Sequence, residues 1–136
     1  MSRRKSREQA FALLFEKSFN DLPVMDLAEG AQDAREIIIE PFALELAQGA
    51  EEKLAEVDAL IEANSHKWSH NRISRVALAV LRLAIYEVKF YDATPDSVAI
   101  NEAVELAKRY GGDEDSSFVN GILGSFARSL TSEEAK

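Results

Sequence analysis

Cysteine is absent from this 136-residue chain, which excludes a disulfide framework, a thiolate nucleophile and any zinc site built on Cys ligands. A reducing, cytoplasmic setting is expected. Six glycines and three prolines are too few for a collagen-like or low-complexity chain. Long apolar runs are missing as well: the longest, Val76 to Leu81, falls far short of the roughly 20 residues that span a bilayer. The basic start, Met1-Ser2-Arg3-Arg4-Lys5-Ser6-Arg7, has no apolar segment with a small-residue cleavage site behind it. Neither a membrane span nor an export signal is expected. No phosphate-cradling P-loop and no Gly-x-Gly-x-x-Gly fingerprint occurs.

What the chain does have is the apolar share of a globular protein, 46%, in a length suited to one domain. The net charge of -8 would disfavour a polyanionic partner if it were evenly spread. It is not. Arg3, Arg4, Lys5 and Arg7 face only Glu8 within the first eight residues, so a basic arm precedes a body more acidic than the overall charge suggests. Such asymmetry is a pattern of nucleic-acid-binding tails, and also of inert solubilising ends.

Helical periodicity dominates the rest. Ala10, Phe11, Leu14, Phe15 and Phe19 recur at three- and four-residue spacing and predict a first helix from about Arg4 to Phe19. Pro23 breaks it, and the stretch from about Val24 to Ile38 reads as a second helix or as irregular structure, since Gly30 lowers its helix propensity. Pro41 suits the first turn of a third, whose stripe of Phe42, Leu46, Ala50, Leu54, Val57, Leu60 and Ile61 predicts one long helix ending near Ala63. Trp68, alone in the polar stretch from Asn64 to Asn71, predicts a short helical turn with the indole packed inward. Between Val76 and Tyr86 the only charge is Arg82, so this should be the central, most buried helix. Thr94-Pro95 reads as N-cap and first helical residue of the next, which stops at Gly111-Gly112 with Lys108 and Arg109 in its last turn. Asp113, Glu114 and Asp115 then open a final helix. No strand pattern or fixed repeat intervenes, and the fold class is all-α, a compact helical bundle.

Candidate chemistry is sparse. His66 and His70 stand four apart, a spacing that can bring two imidazoles to one metal, but no intervening Glu and no third ligand accompany them. Surface histidines, no metal site and no cofactor are the expectation. Gly121-x-x-Gly124 echoes an RNA-clamping loop whose module needs a sheet, so close helix packing at these glycines is expected instead. No nucleophile and base can be paired, and no enzyme is expected. What remains is a basic arm continuous with a helix, and aromatics able to stack on bases: Phe15 on the arm's own helix, with Tyr110 and Phe118 flanking the loop from Gly111 to Ser117. Burial in the core is the competing reading for all three.

Leu81-Arg82-Leu83-Ala84-Ile85-Tyr86-Glu87, then Pro95, Val98-Ala99-Ile100-Asn101-Glu102-Ala103-Val104-Glu105-Leu106-Ala107-Lys108, and Phe118-Val119-Asn120-Gly121-Ile122-Leu123 together resemble the NusB family of bacterial transcription antitermination factors. The likeness extends to Arg7-Glu8-x-Ala10 and Trp68-x-x-x-Arg72-Ile73 and so covers the whole chain. It implies about seven helices arranged as two three-helix subdomains around the buried central helix, divided near residue 64 (about 1–64 and 65–131). It also implies binding of boxA single-stranded RNA of ribosomal RNA leaders together with NusE, a small-subunit ribosomal protein, and help in assembling an antitermination complex on RNA polymerase. Carried over by position, Arg3, Arg4, Lys5 and Arg7 would hold phosphates, and Phe15, Tyr110 and Phe118, with Glu114 nearby, would line the base-contacting surface. The start of the central helix, Arg72 through Arg75 to Ala77, would meet NusE. Family members often carry Tyr where this chain has Phe15, which leaves stacking or packing in place of a phenolic hydrogen bond. Some self-associate, so a homodimer is open, and a protein-only adaptor or self-associating scaffold is the alternative.

Overall fold

Ser2 opens the first helix as its N-cap: the side-chain oxygen accepts the Lys5 N–H at 3.1 Å, satisfying one of the amides that a helix start leaves unpaired. The computed structural model describes residues 2–35, 37–65 and 73–134. Among these it forms seven helices: α1 (Arg3–Lys17), α2 (Val24–Arg35), α3 (Pro41–Glu52), α4 (Leu54–Asn64), α5 (Arg75–Phe90), α6 (Asp96–Tyr110) and α7 (Asp113–Glu134). No strand occurs among the described residues. The expected turn around Trp68, the histidines His66 and His70, and Arg72 lie outside them.

The expected central helix is central. α5 packs against α1, α3, α4, α6 and α7, and Ala77, Ala79, Val80, Leu81, Leu83, Ala84 and Ile85 are all buried. An element apolar on nearly every side requires partners on every side, and α1, α6 and α7 supply Leu14, Leu106, Ile122, Leu123 and Phe126 to the same core. Gly49 lets α3 and α5 pack closely, since a Cβ there would collide with the Tyr86 ring.

The expected single helix from Pro41 to near Ala63 is two helices. At Lys53 the backbone turns to φ -102, ψ 17. On one side of the break Glu51 caps the start of α2 by accepting the Val24 N–H at 2.8 Å and pairs with Lys17 at 3.2 Å. On the other, Asp58 takes a two-pronged bond from Arg82, both arms 2.9 Å. One straight rod need not reach both anchors, and the kink divides the tasks. The first helix also ends earlier than expected, at Lys17 rather than Phe19, with Ser18 as its cap.

The α6–α7 turn follows the sequence signals to within a residue. Pro95 is the N-cap of α6 rather than its first helical residue. At the other end the N–H groups of Gly111 and Gly112 both donate to the Ala107 carbonyl, at 2.8 and 3.0 Å, and Gly112 has φ +101, a conformation that favours glycine. Gly111 needs its bare Cα for another reason: the Asp115 side chain occupies the space a Cβ would take. Close packing is expected at Gly124, but among the described residues a Cβ there would meet only Arg128 Nη1 of the same helix, at 3.4 Å. No helix among the described residues is long and apolar enough to cross a membrane.

Candidate nucleic-acid interface

Three of the four basic residues of the expected arm stand in the first turn of α1 itself. Arg3, Arg4 and Lys5 are exposed, and that turn contains no acid. Cations are unfavourable at this end of a helix, where the backbone dipole is positive, so the turn is left with charge that an anion would neutralise. Part of it is neutralised internally. Arg4 forks onto Glu102 of α6, with Nε at 3.2 Å from one carboxylate oxygen and Nη2 at 3.2 Å from the other. The hydrogen bond to Glu102, then its charge, raises the Arg4 pKa from its ordinary value. Lys5 lies 3.6 Å from Glu8, which also receives Arg109 from the end of α6. Arg3 lays its guanidinium 3.8 Å from the centroid of the Phe42 ring.

Arg7 is placed differently. It is 6% exposed and clamps Glu87 of α5, Nη2 to Oε2 at 2.6 Å and Nε to Oε1 at 2.9 Å. That hydrogen bonding holds its pKa above the usual value against the opposing effect of burial. The guanidinium is committed inside the fold, which departs from the expectation that Arg7 faces a phosphate: its charge is spent on a partner buried to the same degree.

The aromatic candidates form part of a row. Tyr110, 47% exposed at the end of α6, stacks on Phe11 with centroids 4.9 Å apart. Phe11 stacks on Phe15 at 5.8 Å, and Phe15 meets Phe19 edge-on at 5.0 Å. Phe19 is 57% exposed, and the Arg75 guanidinium covers it at 4.4 Å while donating to the Ser18 carbonyl. Phe15 is half-buried and packed against the core, so both core and surface readings hold in part. Phe118 is likewise half-buried, and Glu114 is exposed in the first turn of α7. Of the residues expected to meet a protein partner, Arg75 is exposed, but Ala77 is 0% exposed. It belongs to the buried core, with its N–H capped by Ser74 at 3.0 Å, and offers no surface to a partner.

Phe11 is 5% exposed and belongs to the core, as its place on the apolar face of the helix implies, and the i, i+4, i+8 spacing of Phe11, Phe15 and Phe19 is the sequence signal of the ring row. Phe19, and Arg109 at a position that helix-end charge already explains, join this face without a functional signal of their own in the sequence. Among the described residues no group of His, Cys, Asp and Glu side chains could hold a metal ion.

Fold and site together define an all-α protein that gathers a cationic helix start, a helix-end arginine and a row of aromatic rings. Residues 4–128 match the NusB family, and the chain belongs to that family. It is 44% identical over 133 residues to the transcription antitermination protein NusB of Agathobacter rectalis, covering 93% of this chain and 100% of that protein. It is 38% identical to the protein of the same name from Clostridium novyi, over 94% and 99% of the two chains. Among solved structures, T. maritima NusB superposes with a TM-score of 0.79 at 39% identity over 94% of this chain and 92% of that one. The same fold occurs, at 24% identity and a TM-score of 0.82 over 93% and 96% of the chains, in a crystal structure of antitermination factors NusB and NusE in complex with dsRNA.

Proposed function

We infer that this protein is a transcription antitermination factor that binds boxA single-stranded RNA of ribosomal RNA leaders jointly with NusE, and so helps to assemble an antitermination complex on RNA polymerase in the cytoplasm. Membership of the NusB family supports the reading. The observation that carries it to particular residues is the cationic first turn of α1, where Arg3, Arg4 and Lys5 stand with no acid in the turn itself, set on the same helix as Phe11 and Phe15 and beside Tyr110. Cations along a backbone path and rings for unstacked bases are what single-stranded RNA requires. Arg3, Arg4 and Lys5 hold phosphates. Tyr110 offers an exposed ring to a base, Phe15 and Phe118 add half-buried rings to the same base-contacting surface, and Glu114 accepts from a base edge. Arg7 acts indirectly, by fixing α1 on α5. The protein partner meets Arg75 and the adjoining Phe19 ring, next to an apolar depression of about 470 Å³ lined in part by Leu13, Phe15, Phe19, Ile37 and Ile39.

Titration of boxA RNA with and without NusE tests the whole reading. Binding should tighten when NusE is present, and Arg75→Ala combined with Phe19→Ala should remove that enhancement while leaving binding of RNA alone in place. RNA affinity indifferent both to NusE and to Arg4→Ala would overturn it, and concentration-dependent dimerisation blocked by the same Phe19 change would favour the self-associating scaffold.

A further inference from the structure

Glu102 and Glu8 sit where a ligand of the cations would sit. Each acid is tucked in while its partner is open: the side chains of Arg4 and Glu102 are 64% and 18% exposed, those of Lys5 and Glu8 64% and 14%, and Arg109 is 59% exposed against the same Glu8. The solvent-facing side of every cation is therefore free to receive a second anion. The two arginine pairs also shape the surface. A depression of about 190 Å³ is lined by Arg4, Glu8, Glu102, Glu105, Leu106 and Arg109. A second, of about 350 Å³, is lined by Arg3, Arg4, Tyr91, Pro95, Val98 and Glu102, among others. Arg4 and Glu102 belong to both, so their ion pair lies as a bar between two hollows that run along α1 and α6.

We propose that Glu8 and Glu102 occupy the places of RNA phosphates in the free protein, and that Arg109 is a further phosphate-binding residue, released together with Arg4 and Lys5 when RNA displaces the two carboxylates. The inference rests on the RNA-binding reading above. Exposed ion pairs are weak and screened by salt, whereas a phosphate brings charge and acceptor oxygens that guanidinium groups bind in a forked geometry. It also meets the positive end of the α1 dipole directly. Arg109 immediately precedes Tyr110, so a strand whose base stacks on the Tyr110 ring brings its backbone past Arg109. Opening the Arg4–Glu102 bar then joins the two hollows into one trough leading to Arg3. Exchange has a signature in salt dependence. When a phosphate merely replaces a carboxylate, the displaced acid must regain counterions, and the net release on binding is smaller than the number of phosphates contacted. Removing the acid restores the full release.

Fluorescence anisotropy of a labelled single-stranded boxA RNA, measured over a salt series, tests this on wild type, R4A, R109A, R109K, E8Q and E102Q, each checked for an unchanged melting transition. R109A should weaken binding about two- to fivefold and lower the slope of log affinity against log salt by about 0.7, and R109K should restore the slope. E102Q and E8Q, on different helices, should each tighten binding about two- to fivefold and steepen the slope by about the same 0.7. Binding that R4A weakens but R109A leaves untouched, or that either Gln variant weakens, overturns this inference while the RNA reading stands. A wild-type protein without salt-dependent RNA binding overturns both.

Discussion

Replacing Glu87 by Ala would strand the Arg7 guanidinium in the interior. Glu87 is 1% exposed and Arg7 6%, and the pair is held by charge-assisted bonds at 2.6 and 2.9 Å. Loss of one partner of a buried ion pair costs about 3–5 kcal/mol, since the remaining charge keeps its desolvation penalty without its compensation. Chemical denaturation of Glu87→Ala should show a loss of that size, whereas Arg4→Ala, which breaks an exposed pair, should leave the denaturation midpoint nearly unchanged. Lys17 and Tyr86 predict a second behaviour. Burial, the largest influence on Lys17, lowers its pKa, but the hydrogen bonds it donates to Asp21 and Glu51 outweigh it and the net shift is upward from 10.5. Tyr86 is raised from 10.0, chiefly by burial. In both cases the folded state keeps a proton that the unfolded chain has released. Their contribution to stability is thus complete below about pH 10 and is lost as pH rises through the folded-state pKa values. Denaturation midpoints taken from pH 9 to 11 should fall, and less steeply in Tyr86→Phe and Lys17→Met. An identical fall in both variants would assign the effect to other groups.

At the scale of elements, helix ends carry much of the organisation. Ser74 accepts the Ala77 N–H at 3.0 Å to cap α5 and donates to Asp115 Oδ1 at 3.0 Å, tying the start of α5 to the start of α7. Ser74→Ala should cost about 1 kcal/mol, read as a melting temperature lower by a few degrees. Ser74→Asp should recover the cap while placing two carboxylates together, and so regain only part of it. Ends such as these are legible in sequence where one residue type enforces them: Gly111-Gly112 stops α6 where expected, and Pro95 starts it one residue off. The break at Lys53 was not legible, because Leu46, Ala50, Val57 and Ile61 stay buried on both sides of it and the apolar stripe runs through unbroken. Nor was the fate of the basic residues. Arg4 and Arg7 are the same residue type one turn apart, and only the placement of Glu102 and Glu87, some 98 and 80 positions later, sends one to the surface and the other inward. Arg109 was hidden for the opposite reason: its sequence position has a sufficient local explanation as a helix-end cation.

For the whole molecule, the opposition between local and total charge decides how RNA would be met. The net charge is -8, yet the surface formed by α1 and the end of α6 gathers Arg3, Arg4, Lys5 and Arg109. Attraction at contact and repulsion at a distance have different ranges, and salt separates them. Near 0.15 M the Debye length is about 8 Å, so an approaching strand senses only the patch; near 0.01 M it is about 30 Å, comparable to the molecule, and the acidic body is felt too. Counterion release alone gives a straight line of log affinity against log salt, with a slope of about -0.7 for each phosphate neutralised on a single strand. For this protein the plot should be straight above about 0.1 M and flatten towards about 0.01 M, as unscreened repulsion from the body offsets the gain at the patch. Anisotropy titrations of boxA RNA across that range would read the curvature directly. Neutralising acids remote from the patch, for example Glu29 and Asp33 of α2 changed to Gln and Asn, should straighten the low-salt limb and leave the slope above 0.1 M unaltered. A line that stays straight to the lowest salt would mean that RNA binding is governed by the patch alone, with the acidic body electrostatically silent.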